Sequence, residues 1–395
     1  MKKILFISKY LSTRENGFES RLALLIRLFK KKKFIVSAIT STNSLSKIKF
    51  HNIYNYKKID NVNYFFINEN KSFNFYSFQR IFSWIKFEYY LYRFNYKLIN
   101  FKPDIIYVSS LSLFTILNGV YLKKKFNAKL VFEMRDFWPF FLYRTGKFSR
   151  YNPIILILDL IEKFGIYKSD LIISLIPRIN EYLKYRGFKN KKNFKSTFPL
   201  NKKYFKIKKN SIYLDNKKFN ISYAGNFGFD NYLDELLNLI SKSKKTIFNF
   251  HFFGNGSQKR RLIHKYSNFK NINFYDAVKY EDLHSVLSRM DCLILSFGFN
   301  NKYPMFGYEL NKLNNYLMAA KPVIVIGSKK NLLKSRGNFI FVEQNDNNLF
   351  EKKLFLIKNN YFRYLKIAKL NKLKFLKRNN ANNIFRKTLY HLNNL

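Results

Sequence analysis

Short apolar runs, each followed by a stretch of helical length and then by another apolar run, recur along almost the whole chain. This alternation limits the available folds more than any other feature. In the first half the runs are Lys3–Ser8, Phe34–Thr40, Val62–Ile67, Pro103–Ser110, Lys129–Pro139 with its exit loop, and Asp170–Ser174. Amphipathic or apolar stretches of helical spacing lie between them: 17–29, Tyr76–Phe101, Leu113–Phe126, Pro153–Tyr167 and Arg178–Arg186. The second half restarts the pattern with strands at Phe219–Ala224, Thr246–Phe253, 271–275, 291–297 and Val323–Gly327. Strands that read as continuous apolar runs are buried on both faces, as in parallel sheets covered by helices. Two such series imply two doubly wound α/β domains in tandem. The expected division is an N-terminal domain over 1–201, a lysine- and asparagine-rich linker over 202–218, and a second domain over 219–375. A final helical segment, 376–395, is expected to fold back on the first domain.

Composition narrows the function classes. At 395 residues the chain is long enough for two cores, and 47 % hydrophobic residues is too many for disorder. The lone cysteine, Cys292, excludes a disulfide framework or a cysteine-rich zinc site and suits a reducing compartment. MKKILFIS does not read as a signal peptide, and the longest apolar run, Ile154–Ile161, is far short of a bilayer span and contains Asp159. The formal charge of +49 has two readings. One is an anionic partner, nucleic acid or an acidic membrane surface. The other is compositional drift, since Lys, Asn, Ile, Phe and Tyr are enriched together. The excess is larger before residue 210, where aromatic and basic residues interleave. Tyr76–Phe101 mixes Phe, Trp and Tyr with Arg80, Lys86, Arg93 and Lys97, a pattern that suits a membrane interface or a helix packed on a sheet. The loop 137–151 is a second candidate membrane contact.

The motifs lie at strand ends. In the first half, Gly17 and Arg21 follow the opening strand, and Glu133, Arg135 and Asp136 sit where a later strand ends, the edge at which open α/β sheets bind ligands. In the second half, Gly225-Asn226-Phe-Gly228 and Gly254-Asn-Gly256 follow two strands and suit a backbone approach to a phosphate or base. Neither is a complete G-x-G-x-x-G, there is no P-loop, and no metal-ligand spacing or G-x-S-x-G is present. The stretch Gly307–Pro322, GYELNKLNNYLMAAKP, reads as a loop entering a helix, with Glu309, Asn311 and Lys312 in the first turn. Exposed N–H groups and the positive dipole end make such a start a seat for a diphosphate. Taken alone it also fits an ordinary solvated helix.

As an ordered set, YAGNFG, FHFFGNGSQKRRL, VKYEDLHSVLSRMDCLILSF and GYELNKLNNYLMAAKPVI resemble the donor domain of family-4 retaining glycosyltransferases of the GT-B fold. The resemblance is to the polysaccharide-biosynthesis subgroup with the pattern G-x-S-P-N-K-L-x-[DE]-Y-M-A-A-G-[KR]-P. Asn311, Lys312, Leu313, Tyr316, Ala319, Lys321 and Pro322 match in place, and FEMRDFWP resembles that subgroup's E-x-R-D-x-W-P. The resemblance spans about residues 3–345. Glu309 and Leu310 replace Ser-Pro, Ala320 replaces a glycine, and Asn315 stands where an acid holds the donor ribose. It implies two Rossmann-like domains facing each other across a cleft. It also implies retaining, metal-independent sugar transfer from a nucleotide-sugar to a hydroxyl, without a cofactor. Lys312, Arg135 and Asp136 are the implied catalytic residues. The implied donor site comprises Gly17, Arg21, Gly225, Asn226, Gly254, Gly256, Glu309, Leu310, Asn311, Leu313 and Asn315. The expected acceptor is a lipid-linked glycan for a surface polysaccharide such as lipopolysaccharide or capsule. The enzyme would then be cytoplasmic and peripheral on the inner face of the membrane, on an anionic surface, with no nucleic acid bound. A nucleotide-sugar epimerase of the same fold and a basic nucleic-acid-binding protein are the other classes compatible with the sequence.

Overall fold

The computed structural model describes residues 2–13, 15, 19–42, 52–69, 78–110, 112–144, 148–200, 205–207, 212–243, 246–299, 306–307, 310–328 and 339–395. Side chains are described for all of these but 78–81 and 311. The chain divides into two compact units, Met1–Pro199 with Asn380–Leu395, and Leu200–Asn379.

The first unit runs β1 (Lys3–Ile7), α1 (Arg21–Lys31), β2 (Ile35–Ser41), β3 (Tyr54–Ile59), β4 (Val62–Ile67), α2 (Phe78–Arg93) and β5 (Ile105–Ser110). It continues through α3 (Thr115–Phe126), β6 (Lys129–Met134), α4 (Phe140–Arg144), α5 (Pro153–Lys168), β7 (Leu171–Ser174), α6 (Ile179–Tyr185) and β8 (Asn193–Lys195). Its sheet has the order β3-β4-β2-β1-β5-β6-β7-β8, parallel except for the β3–β4 hairpin. The central strands β1, β5 and β6 are apolar and buried almost throughout, because helices cover both faces. On one face Leu22, Leu25, Ile26 and Phe29 of α1 pack on Ile4, Phe6 and Tyr107. On the other face, α3 approaches the sheet closely at Gly119, where a Cβ would lie 2.6 Å from Val108.

The second unit runs β9 (Phe219–Ala224), α7 (Leu233–Ser241), β10 (Phe248–Phe253), α8 (Lys259–Tyr266), β11 (Ile272–Tyr275), α9 (Tyr280–Ser288) and β12 (Cys292–Ser296). It continues through α10 (Asn311–Ala319), β13 (Val323–Ile326), β14 (Ile340–Val342), α11 (Asn347–Asn359) and α12 (Tyr361–Arg378). The sheet order, β11-β10-β9-β12-β13-β14, is parallel throughout, with β9 and β12 adjacent where the winding reverses. Such a switch point opens a crevice beyond the strands' C-terminal ends. The last helix, α13 (Ala381–Asn393), returns to the first unit, where Phe385 packs edge-on against Phe29 with centroids 4.8 Å apart.

Four features differ from the sequence reading. α1 starts at Arg21 rather than at Gly17, because the Ser20 side chain caps it by accepting from the Ala23 N–H at 3.4 Å. β3 falls in a segment without apolar alternation, and its turn uses Asp60 and Asn61 at positive φ. The stretch 202–218 is not a free linker in its described part: Leu214 is buried, and Phe205 packs edge-on against His284, both in the second unit. In the loop 137–151, Phe137 and Phe140 point inward, with Phe137 stacked on Tyr182 at 3.6 Å; Phe148 and Tyr151 are exposed.

Candidate donor site at the second switch point

Three chain segments meet beyond the C-terminal ends of β9, β10 and β12. The glycine loop after β9 lies directly on the one after β10. The Gly225 N–H donates to the Phe253 carbonyl at 3.0 Å, the Phe227 N–H to the Asn255 carbonyl at 2.9 Å, and the Gln258 N–H to the Phe227 carbonyl at 2.9 Å. A Cβ at Gly254 would sit 1.9 Å from the Gly225 carbonyl oxygen, so only glycine allows this backbone-on-backbone contact. Gly225, Gly254 and Gly256 thus serve first to close the two loops on one another, while Asn226 is exposed at the rim.

The third segment is α10. Its N-cap is Leu310, whose side chain offers no acceptor, and among the described residues no side chain caps this helix. Lys312, in the first turn, sends its ammonium back over the β9 loop. Nζ donates to Tyr223 Oη at 2.9 Å and to Asn231 Oδ1, lies 4.8 Å from the Tyr223 ring centroid, and would be 3.3 Å from a Cβ at Gly225. Partial burial pushes the Lys312 ammonium down to about 8, against a smaller opposing pull from Asp230. Burial raises the Tyr223 hydroxyl well above its ordinary value, so it stays neutral and donates a hydrogen bond to the Asn226 carbonyl at 2.9 Å. Among the described residues the site therefore presents the Lys312 cation beside a bare glycine backbone and a helix start with no side-chain cap.

Tyr316 holds α10 in place. Fully buried, it accepts from the Ala224 N–H at 2.8 Å and donates to the Ile294 carbonyl at 3.2 Å, tying the helix to the end of β9 and the middle of β12. Tyr316→Phe should leave the Ala224 N–H buried without a partner and cost about 1–3 kcal/mol, read as a lower denaturant midpoint at unchanged slope.

The remaining expected donor residues divide by position. The Leu313 side chain is part of the core, and its N–H donates to the Leu310 carbonyl at 3.2 Å, so it braces the helix. Asn315 is buried on α10, one turn beyond the helix start. Asn311 opens the helix. Gly17 and Glu309 lie outside the described residues.

In the first unit, Arg21 is buried, with its guanidinium donating to Glu133, to Ser196 Oγ at 2.7 Å and to the Thr197 carbonyl at 3.2 Å. Glu133 also accepts from the Tyr107 hydroxyl and from Ser109 Oγ at 2.9 Å. Burial alone would raise the Glu133 carboxyl, yet Arg21 and these donors hold it below the ordinary range. Arg21 is thus engaged in a buried network joining α1, β5, β6 and the segment after β8. That network was not visible as a motif, since Glu133 is 112 residues away in sequence. Arg135 and Asp136 follow β6 at the sheet's C-terminal edge, Arg135 half-buried and Asp136 exposed. Among the described residues no group of three or more His, Cys, Asp or Glu side chains could hold a metal ion.

The whole chain superposes on solved structures. It matches sucrose-phosphate synthase from Thermosynechococcus elongatus with a TM-score of 0.72, 12 % identity and 99 % of each chain covered. It matches Anabaena HepE, solved with UDP-glucose, at 0.65, 10 % identity and 100 % of each chain. It also matches the lipopolysaccharide outer core galactosyltransferase WaaB at 0.57, 13 % identity and 99 % of each chain. The fold is GT-B. No family model matches the sequence, and no curated protein matches it. At 10–13 % identity these likenesses show the fold alone.

Proposed function

We propose that this GT-B protein is a family-4 retaining glycosyltransferase that moves a sugar from a nucleotide-sugar to an acceptor hydroxyl without a metal ion. The observation that carries the reading is the place of Lys312: its ammonium lies beside a glycine backbone, in the first turn of a helix with no side-chain cap among the described residues, at the switch point of a parallel sheet. Transfer leaves a nucleoside diphosphate whose charge grows as the glycosidic bond breaks. The ammonium and the first-turn N–H groups supply fixed positive charge for that leaving group. Asn315 would bond a ribose hydroxyl, more weakly than a carboxylate. Arg135 and Asp136 would meet the transferred sugar or acceptor. The names of the matched structures, one holding UDP-glucose and one a galactosyltransferase, support a nucleotide-sugar donor. The interleaved aromatic and basic residues of the first unit support a lipid-linked glycan acceptor and a peripheral place on the inner membrane face.

A thermal-shift panel of UDP-, GDP- and TDP-sugars tests the donor, since a ligand of the folded state raises apparent stability. One nucleotide class is expected to shift the transition; no shift with any of them would remove the assignment. Proton linkage tests the residue. A bound diphosphate should raise Lys312 again, so binding takes up a proton above its free value. At pH 8.5 calorimetry in buffers of different ionisation enthalpy should show uptake of a fraction of a proton that falls towards zero as pH is lowered well below 8. Affinity should decline as pH rises through about 8. Buffer-independent heats across pH 7–10, with unchanged nucleotide affinity in Lys312→Ala, would exclude Lys312 as the anion's partner. Anomeric configuration of the product by NMR, and activity in chelator, test retention and metal independence.

A further inference from the structure

The helix layer on one face of the first sheet has an unusual outer surface. α3 lies between α2 and α5: Tyr121 meets Tyr92 of α2 at 4.9 Å, and a Cβ at Gly165 of α5 would lie 2.7 Å from Ile116. The inner side of α5 is as expected, with Ile155, Leu158, Gly165 and Ile166 buried. Its outer side, however, carries Leu156, Ile157, Leu160, Phe164 and Tyr167, all exposed, with Leu160 at 66 %. A helix apolar all round is normally enclosed on every side. α2 continues the surface: Phe82, Ile85, Tyr89 and Tyr92 fall at helical spacing and are each more than half exposed. Leu117 of α3 is exposed between them. Single exposed apolar residues are common, but a continuous face across three helices marks an interaction surface.

The charge around this face selects its occupant. Lys86 and Arg93 on α2, Lys124 and Lys125 at the end of α3, and Lys163 on α5 are exposed around the apolar residues. The three helices contain three acids, and none offers a free negative charge. Glu88 accepts from Thr115 and from Asn118 at 2.8 Å, Asp159 pairs with Arg186 at 2.6 Å, and buried Glu162 pairs with the same arginine at 2.7 Å. A second copy of the chain would set one basic rim against another within a molecule of formal charge +49. An acidic lipid surface accepts both parts, apolar residues at the acyl boundary and lysines at the headgroups. Among the described residues no helix is long and apolar enough to cross a membrane, so this is contact along a surface.

We infer that the outer face of α2, α3 and α5 docks on an anionic bilayer, with α5 lying in the plane of the interface. In its purpose this rests on the lipid-linked acceptor proposed above, since it brings the enzyme to the surface where such an acceptor is held. The test is co-sedimentation of the full chain with vesicles of phosphatidylcholine alone and with about one-third phosphatidylglycerol, compared with the variant I157E/L160E. Phe362→Glu, at an exposed site on α12, is the control. Wild type and F362E should pellet with anionic vesicles, and I157E/L160E should lose at least tenfold in partition, with its thermal transition unchanged. A polarity-sensitive dye on Leu160→Cys should blue-shift on the same vesicles, which keeps the test valid if the double variant misfolds. Absence of wild-type binding at low salt, or equal binding by a folded I157E/L160E, would overturn the inference. So would a dimer of wild type in solution that this variant dissolves. The nucleotide-sugar thermal shift, run on the same proteins, keeps the readings separate. Lost vesicle binding with a retained donor shift defeats only the docking face; vesicle binding without a donor shift defeats only the transferase reading.

Discussion

Lys312→Ala is expected to lower sugar transfer by about 10²–10³-fold while leaving the second unit folded. The side chain reaches from α10 over the β9 loop and supports no core packing. Its removal costs two hydrogen bonds, to Tyr223 and Asn231, but Tyr223 keeps its bond to the Asn226 carbonyl. Burial already disfavours the charged form in the free protein, so deleting the ammonium should change stability little. What is lost is positive charge where the diphosphate gathers electrons. Loss should therefore appear in kcat as well as in nucleotide affinity, and the buffer dependence of binding heat at pH 8.5 should disappear with it. Turnover near wild type in a purified, folded Lys312→Ala protein would end this assignment.

The second large effect lies in the first unit and is one of stability. Arg21→Ala should destabilise that unit by about 3–5 kcal/mol, because it leaves Glu133 charged and buried without its main partner. The pH dependence has a defined sign. Glu133 is held below its ordinary value in the folded protein, so its contribution is present above the unfolded carboxyl's value, roughly pH 4.3. It is lost as pH falls through the lower folded value. In Arg21→Ala that acid-labile part of the stability should be absent. Replacing Arg21 by Met and Glu133 by Leu together should recover only part of the loss: no buried charge remains to desolvate, but Tyr107, Ser109 and Ser196 each lose a partner. Denaturant titration measures this, and nucleotide affinity separates it from a donor role. If Arg21 bound the donor, Arg21→Ala would lose affinity at nearly unchanged stability.

These two residues also mark what the sequence could and could not reveal. The helix start that carries Lys312 was legible because a loop, a helix and a following strand are consecutive in the chain, whereas the partners of its ammonium, Tyr223 and Asn231, are 89 and 81 residues away. The parallel strands were equally legible, since burial on both faces writes an apolar run that no other context requires. Arg21 resembled a ligand-facing arginine because its partners are remote in sequence, Glu133 by 112 residues and Ser196 by 175. Tyr316 matched a motif position, but its clamp between Ala224 and Ile294 depends on the order of strands in the sheet. The β3–β4 hairpin left one local trace, the Asp60-Asn61 pair suited to a tight turn, in a segment whose polarity argued against a strand. α5 was misleading for a different reason. Ile154–Ile161 is an apolar run broken only by Asp159, and such a run gives no periodicity that separates the inner from the outer face of the helix.

The return of α13 to the first unit has a consequence for biosynthesis. Phe29 at the heart of that unit packs against Phe385, the ring of Phe194 stacks on His391 at 4.5 Å, and Lys2 donates to the Leu392 carbonyl at 2.7 Å. The ribosome makes residues 1–199 and then roughly 180 residues of the second unit before it reaches this helix, a delay on the order of 10–40 s. Through that interval the α1 side of the nascent first unit lacks the contact of Phe385, while Phe29 keeps Phe6 and Phe34. The second unit, contiguous in the chain, needs no later segment and can close first. In this polypeptide the N-terminal unit is begun first and completed last.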